Sequence, residues 1–177
     1  MNFIADPFAG FSFEQNLENV LFNELVKYGF EVWNDKTIIK SFGDDVTGID
    51  FYCKYFDFVV VIKCSIRNPC LTDMTNFIYG SSVIRETLTP SLGKINVHKI
   101  YASNIPPTGP IHRAATRKGV HIVINTDQKS IIYEIIQKIK DLANENRFLD
   151  SEKFIQNEFC QDPYKNSLTG SISMDCS

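Results

Sequence analysis

Hydrophobic residues recur with helical spacing in several stretches of the chain. In residues 13–28, Leu17, Leu21 and Leu25 fall on one face and predict an amphipathic helix that ends near Gly29. The same periodicity predicts further helices at 71–88, 111–118 and 130–147. Short apolar or β-branched runs bounded by turn residues predict strands at 37–40, 49–53, 58–64, 97–102 and 120–124.

The run Phe58-Val59-Val60-Val61-Ile62 has no polar alternation, which predicts a central strand covered on both faces. It is expected to pair antiparallel with 49–53. Residues 97–124 form a strand–helix–strand unit, which predicts a parallel pair with a right-handed crossover.

These elements predict a single α/β domain over residues 1–150: a mixed β-sheet flanked by helices on both faces, with an additional C-terminal helix. The acidic stretch 43–48 is expected to be a flexible connection. Glycine and serines at 80–82 are expected to let their helix lie close to the sheet. Residues 151–177 predict a polar tail that is partly disordered.

Net charge refines this picture only slightly. Residues 1–125 hold 12 basic and 12 acidic side chains, and residues 126–177 hold 6 basic and 9 acidic, so the whole net charge of −3 lies at the C-terminal end. A neutral domain of this kind would bind nucleic acid weakly without a metal or a partner.

The five cysteines are irregularly spaced, which argues against a disulfide framework or a structural zinc site and favours reduced, mostly buried thiols. No secretory signal and no membrane-spanning run is visible, so an intracellular protein, cytoplasmic or nuclear, is expected.

Candidate chemistry centres on Asp50, at the edge of one predicted strand, and Lys63, at the exit of the buried strand. An aspartate and a lysine so placed can hold a divalent metal beside a phosphodiester. The alternatives are a turn carboxylate at Asp50 and a lysine that reaches out to solvent at Lys63.

The element order and several short motifs resemble the restriction-endonuclease-like superfamily, the PD-(D/E)xK nucleases, and in particular its Mrr-type branch. The resemblance spans roughly residues 12–125. It is carried by Leu17-Glu18 before Gly29-Phe30, Gly48-Ile49-Asp50, Val60-Val61-Ile62-Lys63, and the closing segment with Ile100-Tyr101-Ala102-Ser103, Ala114-Ala115 and Gly119-Val120-His121-Ile122.

The resemblance implies roles for individual residues. Asp50 matches the metal-binding aspartate, Lys63 the catalytic lysine that assists the attacking water, and Glu18 the helix glutamate that completes the metal shell, with Glu14 one turn earlier as an alternative. The implied cofactor is Mg²⁺ or Mn²⁺, which lowers the pKa of a bound water and offsets charge on the phosphate.

Val61 departs from the family pattern, because an acidic or amide ligand is expected two positions before the lysine. Only its backbone carbonyl could bind a metal. Three interpretations are open: the ligand has moved to Glu18, Glu14 or Asp57, the alignment is shifted, or the domain has lost catalysis and kept binding or architecture.

Basic residues supply candidate phosphate contacts, and an ordinary solvated surface is the alternative for all of them. Arg113 and Arg117 are four residues apart and share a helix face. The full candidate set is Arg113, Arg117, Lys118, Lys36, Lys40 and Arg67.

Two functions therefore follow from the resemblance. The first is a metal-dependent endonuclease-like domain acting on nucleic acid phosphodiesters, with DNA favoured over RNA. The second is a catalytically inactive nuclease-fold protein that binds nucleic acid or serves as a protein-interaction subunit, including as a homodimer. A small α/β enzyme unrelated to nucleic acid is a third class, but no phosphate-binding glycine loop and no Ser-His-Asp signature supports it.

Overall fold

The computed structural model describes residues 9–66, 69–93 and 95–145. The helices are α1 Ala9–Leu25, α2 Asp35–Phe42, α3 Leu71–Leu92, α4 Gly109–Arg117 and α5 Gln128–Glu145. The strands are β1 Glu31–Asn34, β2 Phe51–Tyr55, β3 Phe58–Ser65, β4 Asn96–Ser103 and β5 Val120–Ile124. Short 3₁₀ turns occupy Val26–Tyr28 and Asp44–Val46.

The five strands form one mixed sheet in the order β1-β2-β3-β4-β5. The pairs β1–β2 and β2–β3 are antiparallel, and β3–β4 and β4–β5 are parallel. The predicted hairpin and the predicted parallel pair are both confirmed. The chain is therefore an α/β protein with a mixed sheet flanked by helices.

The sheet carries a hydrophobic core on each face, because successive side chains of β3 point to opposite sides. Phe58, Val60 and Ile62 pack with α1 and α5, whereas Val59 and Val61 pack with α2, α3 and α4. All five are at most 1% exposed, so the prediction of a central strand covered on both faces is confirmed. Burial of each such side chain contributes about 1.5–3 kcal/mol.

Helix α2 occupies residues 37–40, so the prediction of a strand there was wrong. The β-branched run there favours a strand by propensity, but Asn34 caps a helix: its side chain accepts hydrogen bonds from the Thr37 N–H at 3.2 Å and the Thr37 hydroxyl at 3.0 Å. Ile38 is fully buried against the sheet, and Gly43 ends the helix at φ +89°. Capping and tertiary burial outweigh the local propensity.

The acidic segment 43–48 is also more regular than predicted. It forms a 3₁₀ turn whose Val46 is fully buried, and Gly48 lies against the backbone of α3. Gly80 faces this turn rather than the sheet: a Cβ there would lie 3.2 Å from the Val46 Cα. The prediction that Gly80 allows close approach to the sheet is therefore corrected, since it allows close approach to the turn.

The cysteines and the possible membrane spans can be described for residues 9–66, 69–93 and 95–145. The cysteines there are free, with Cys53 and Cys64 buried and Cys70 exposed. No helix in these residues has the length and apolar character needed to cross a membrane. The predicted tail, 151–177, lies outside the described residues.

The partly buried position of His98 on β4 is expected to make the stability of the protein depend on pH. Its ring lies 5.1 Å from that of Phe58, and burial, followed by the nearby His121 and Lys99, lowers its pKa to about 4. The unfolded chain takes up this proton near pH 6.5. Stability is therefore fully present above about pH 6.5 and falls as the pH drops towards 4, by about 1–2 kcal/mol after allowance for solvent screening.

Urea unfolding of the wild type and His98→Gln at about pH 7 and about pH 4.5 measures this contribution. The substitution is expected to remove this part of the acid destabilisation. His112→Gln, at an exposed position on α4, is the control and should behave as wild type. Equal losses of stability in all three proteins would contradict the assignment.

Candidate functional site

Asp50 and Lys63 meet at the edge of the β2–β3 hairpin. The Asp50 N–H donates to the carbonyl of Ile62 at 3.0 Å, which fixes the start of β2 against β3. The Lys63 Nζ then lies 2.9 Å from Asp50 Oδ1, and the Cys64 N–H donates to Oδ2 at 2.6 Å. Both carboxylate oxygens of Asp50 are therefore engaged by donors from β3.

This ion pair is mostly buried, and burial opposes the charged form of each member. The side chains of Lys63 and Asp50 are 20% and 14% exposed. Burial raises the pKa of the Asp50 carboxyl, although Lys63 and the Cys64 N–H oppose the shift. Burial by itself would lower the pKa of Lys63, but the Asp50 carboxylate raises it above its usual value. We take the pair as ionised at neutral pH, because its partners satisfy each other at hydrogen-bond distance.

The glutamates of α1 reach the same region. A cavity of about 280 Å³ is lined by side chains from α1, from the β1–α2 junction and from the start of β2, among them Glu14, Glu18, Asp35, Lys36 and Asp50. Four carboxylates thus border one small cavity, which is an anionic environment.

The two glutamates differ in their surroundings. Glu18 accepts a hydrogen bond from the Asn34 amide at 2.9 Å, so it ties α1 to the cap of α2. Glu14 is half-buried, and its pKa is raised by burial and then by the Asp50 carboxylate. Asp50 and Lys63 therefore act electrostatically on Glu14, the predicted alternative.

Val61 lies two residues before Lys63 on the same face of β3 and is completely buried. The carbonyl of Ile62 points to β2, where it accepts from Asp50. Because successive carbonyls of a strand point to opposite neighbours, the Val61 carbonyl points to β4. That geometry gives no support to the predicted role of Val61 as a metal ligand through its carbonyl.

The donor set does not fit a divalent metal as it stands. Mg²⁺ requires several oxygen ligands, and the ammonium of Lys63 occupies the position beside Asp50 where a cation would bind. Among the residues that the structure describes, no group of three or more His, Cys, Asp or Glu side chains is placed to hold a metal ion. No metal-dependent step is derived from this arrangement.

The predicted basic residues lie in different places. Lys36 borders the acidic cavity, and Lys40 is exposed on α2. Arg113 and Arg117 are exposed on α4, and exposed Lys118 follows that helix. Arg67 lies outside the described residues.

Asp35 was not identified from the sequence, because it precedes residues 37–40, for which a strand was predicted. The sequence signal for helix α2 was Asn34, a typical helix cap, followed by residues compatible with a helix up to Gly43. An Asn cap there places Asp35 in the first turn of the helix.

Comparison of the chain with known protein families, with curated proteins and with solved structures found no match.

Proposed function

We propose that this chain is a catalytically inactive nuclease-like domain that binds the phosphate backbone of nucleic acid. The proposed fold is the restriction-endonuclease-like one. Three features support it: α1 packs on the sheet, the antiparallel β2–β3 hairpin carries Asp50 and Lys63, and two parallel strands follow with helical crossovers.

The loss of catalysis is inferred from one observation: Lys63 is the counter-ion of Asp50. In a metal-dependent nuclease the aspartate must be available to a cation that activates water. Here its two oxygens bind an ammonium and a backbone N–H, and the position of Val61 offers no side-chain oxygen. The pair stabilises the hairpin instead.

Phosphate binding is assigned to α4 rather than to the acidic cavity. Carboxylates at Glu14, Glu18, Asp35 and Asp50 would repel a phosphodiester at that cavity. Arg113, Arg117 and Lys118 are exposed at successive turns of one helix and its end, so they can contact neighbouring phosphates without reading bases.

The second candidate is the metal-dependent endonuclease. The observation that favours it is the shared cavity of Asp50 with Glu14 and Glu18, because substrate or metal could displace Lys63 from Asp50. A protein partner or a homodimer stays a prediction.

One set of measurements decides between the two candidates. Labelled single- and double-stranded DNA and RNA are incubated with Mg²⁺ or Mn²⁺ and wild type, Asp50→Ala or Lys63→Ala. We expect no cleavage by any of them. Cleavage by the wild type that both substitutions abolish would establish the endonuclease and overturn the inactive assignment.

Binding is measured in the same samples as a function of salt. If Arg113 and Arg117 each contact a phosphate, the double substitution Arg113→Gln/Arg117→Gln should lower the salt slope by about 2 on double-stranded DNA. Lys129→Gln, which removes one positive charge from an exposed position on α5, is the control for charge lost elsewhere and should leave the slope close to that of the wild type. Unchanged binding by the double variant would refute the assignment to α4.

A further inference from the structure

A second cavity lies away from Asp50, between α3 and the beginning of β4. It has a volume of about 690 Å³ and is open on one side. Helix α3 contributes Ser82, Arg85 and Thr89, and β4 contributes Asn96 and Lys99. This volume is within the range of about 300–1,000 Å³ that pockets for small organic ligands span.

Two cations line this cavity, and a third lies near enough to act on one of them electrostatically. Arg85 comes from α3 and Lys99 from β4, and both line it. Lys99 is in register with Val120 of β5, and Lys118 precedes Val120 by two residues, so the end of α4 brings a third cation to the same side of the sheet. No local sequence pattern groups these residues, because only Lys118 belongs to the basic segment around α4.

No anion of the described chain neutralises this cluster. The ion pairs among the described residues are Lys27–Glu24 and Lys63–Asp50, and neither involves Arg85, Lys99 or Lys118. Lys99 is half-buried, and its Nζ donates only a long hydrogen bond, 3.3 Å, to the carbonyl of Val97.

The electrostatics of Lys99 agree with this geometry. Burial lowers its pKa first, and the charges of Arg85 and then Lys118 lower it further. Like charges held together in a partly desolvated site cost free energy, and a bound anion would offset that cost.

We propose that this cavity binds a phosphate monoester, with Arg85, Lys99 and Lys118 as its ligands. An arginine fork and two ammonium groups match the charge and the oxygen acceptors of a phosphate dianion. The volume leaves space for an organic group beyond the phosphate, which points to a nucleotide, either free or at the end of a nucleic acid strand. If the ligand is the end of a nucleic acid strand, the site rests on the proposed function and deepens it. If the ligand is a free nucleotide, the site is independent of that function.

Lys99→Met gives the decisive test, because it should raise the stability of the ligand-free protein and lower its affinity for phosphate. Without ligand, the variant is expected to have a higher melting temperature than the wild type, since a repelled, half-buried charge is removed. With inorganic phosphate or a nucleoside 5′-monophosphate at constant ionic strength, the wild type should gain stability and the variant should bind at least about tenfold more weakly, the loss of about one charge-assisted hydrogen bond.

The control is Lys129→Gln, which should match the wild type in both measurements. The proposal is overturned if phosphate stabilises the wild type no more than chloride does, or if Lys99→Met binds phosphate as tightly as the wild type. Arg85→Gln should weaken phosphate binding as well, and an unchanged affinity in that variant would equally count against the site.

Two oligonucleotides that differ only in a 5′-phosphate identify the source of the phosphate. Tighter binding of the phosphorylated strand, lost in Lys99→Met, assigns the site to a nucleic acid end. Equal binding of both strands, together with binding of the free monophosphate, assigns it to a free nucleotide. The Arg113→Gln/Arg117→Gln variant separates this result from the proposed function, since failure of backbone binding at α4 leaves monophosphate binding unaffected.

Discussion

Replacing Asp50 with alanine is expected to lower the free energy of unfolding by about 3–5 kcal/mol. The substitution leaves the ammonium of Lys63 without a counter-ion at 20% side-chain exposure, and it removes the acceptor of the Cys64 N–H. Urea unfolding at neutral pH measures the loss. Nuclease activity need not be present for the effect to be seen, because the pair supports the hairpin itself.

A double-mutant cycle distinguishes this ion pair from a general loss of packing. Lys63→Met removes the charge and keeps much of the side-chain volume, but leaves the buried Asp50 carboxylate unpaired, so it should also be destabilising. The double variant Asp50→Ala/Lys63→Met should lose clearly less than the sum of the two single losses, by about 1–3 kcal/mol. Additive losses would show that the two side chains are not coupled.

Gly48→Ala is expected to destabilise the protein by about 3 kcal/mol or more. A Cβ at this position would lie 2.8 Å from the backbone carbon of Asn76 and 2.8 Å from the backbone nitrogen of Phe77. These atoms belong to the second turn of α3, so relief requires the helix to move away from the segment that follows the 3₁₀ turn at Asp44–Val46. Thermal and urea unfolding measure the effect.

Two other glycines serve as matched controls for this prediction. A Cβ on Gly80 would approach the Val46 Cα at 3.2 Å, so Gly80→Ala should cost less than Gly48→Ala. Gly43 has no atom within 4 Å of the added Cβ but has φ +89°, so Gly43→Ala tests backbone strain without a clash. If Gly48→Ala is the mildest of the three, the close approach of turn and helix is wrong.

Periodicity predicted the elements whose two faces differ most in polarity. The buried positions of α5, Ile131, Ile135, Ile139 and Leu142, recur at helical spacing and are at most 2% exposed. The apolar run of β3 likewise predicted its central place, since only a strand covered on both faces can bury every side chain.

Helix α2 was missed because local propensity and tertiary burial disagree there. Thr37, Ile38 and Ile39 favour a strand when read by residue type. The Asn34 cap and the buried Ile38 favour a helix, and neither the cap geometry nor the burial is visible in a propensity pattern.

The candidate site was predicted in part. The sequence located Asp50 and Lys63 and anticipated that a glutamate of the first helix would lie near them. The resemblance matched Glu18 to that glutamate and gave Glu14 as the alternative, whereas both border the cavity, because their positions depend on the rotation of α1 over the sheet. Asp35, which reaches the cavity through α2, was also missed.

By itself, the sequence determined the α/β class, the antiparallel hairpin, the parallel unit and the pairing of one aspartate with one lysine. These follow from side-chain periodicity and from the short reach of neighbouring strands. The tertiary structure alone decided that donors from β3 engage both carboxylate oxygens of Asp50 and that Arg85 and Lys99 line one cavity with Lys118 nearby. Those juxtapositions depend on strand order, register and helix placement, which no local pattern encodes.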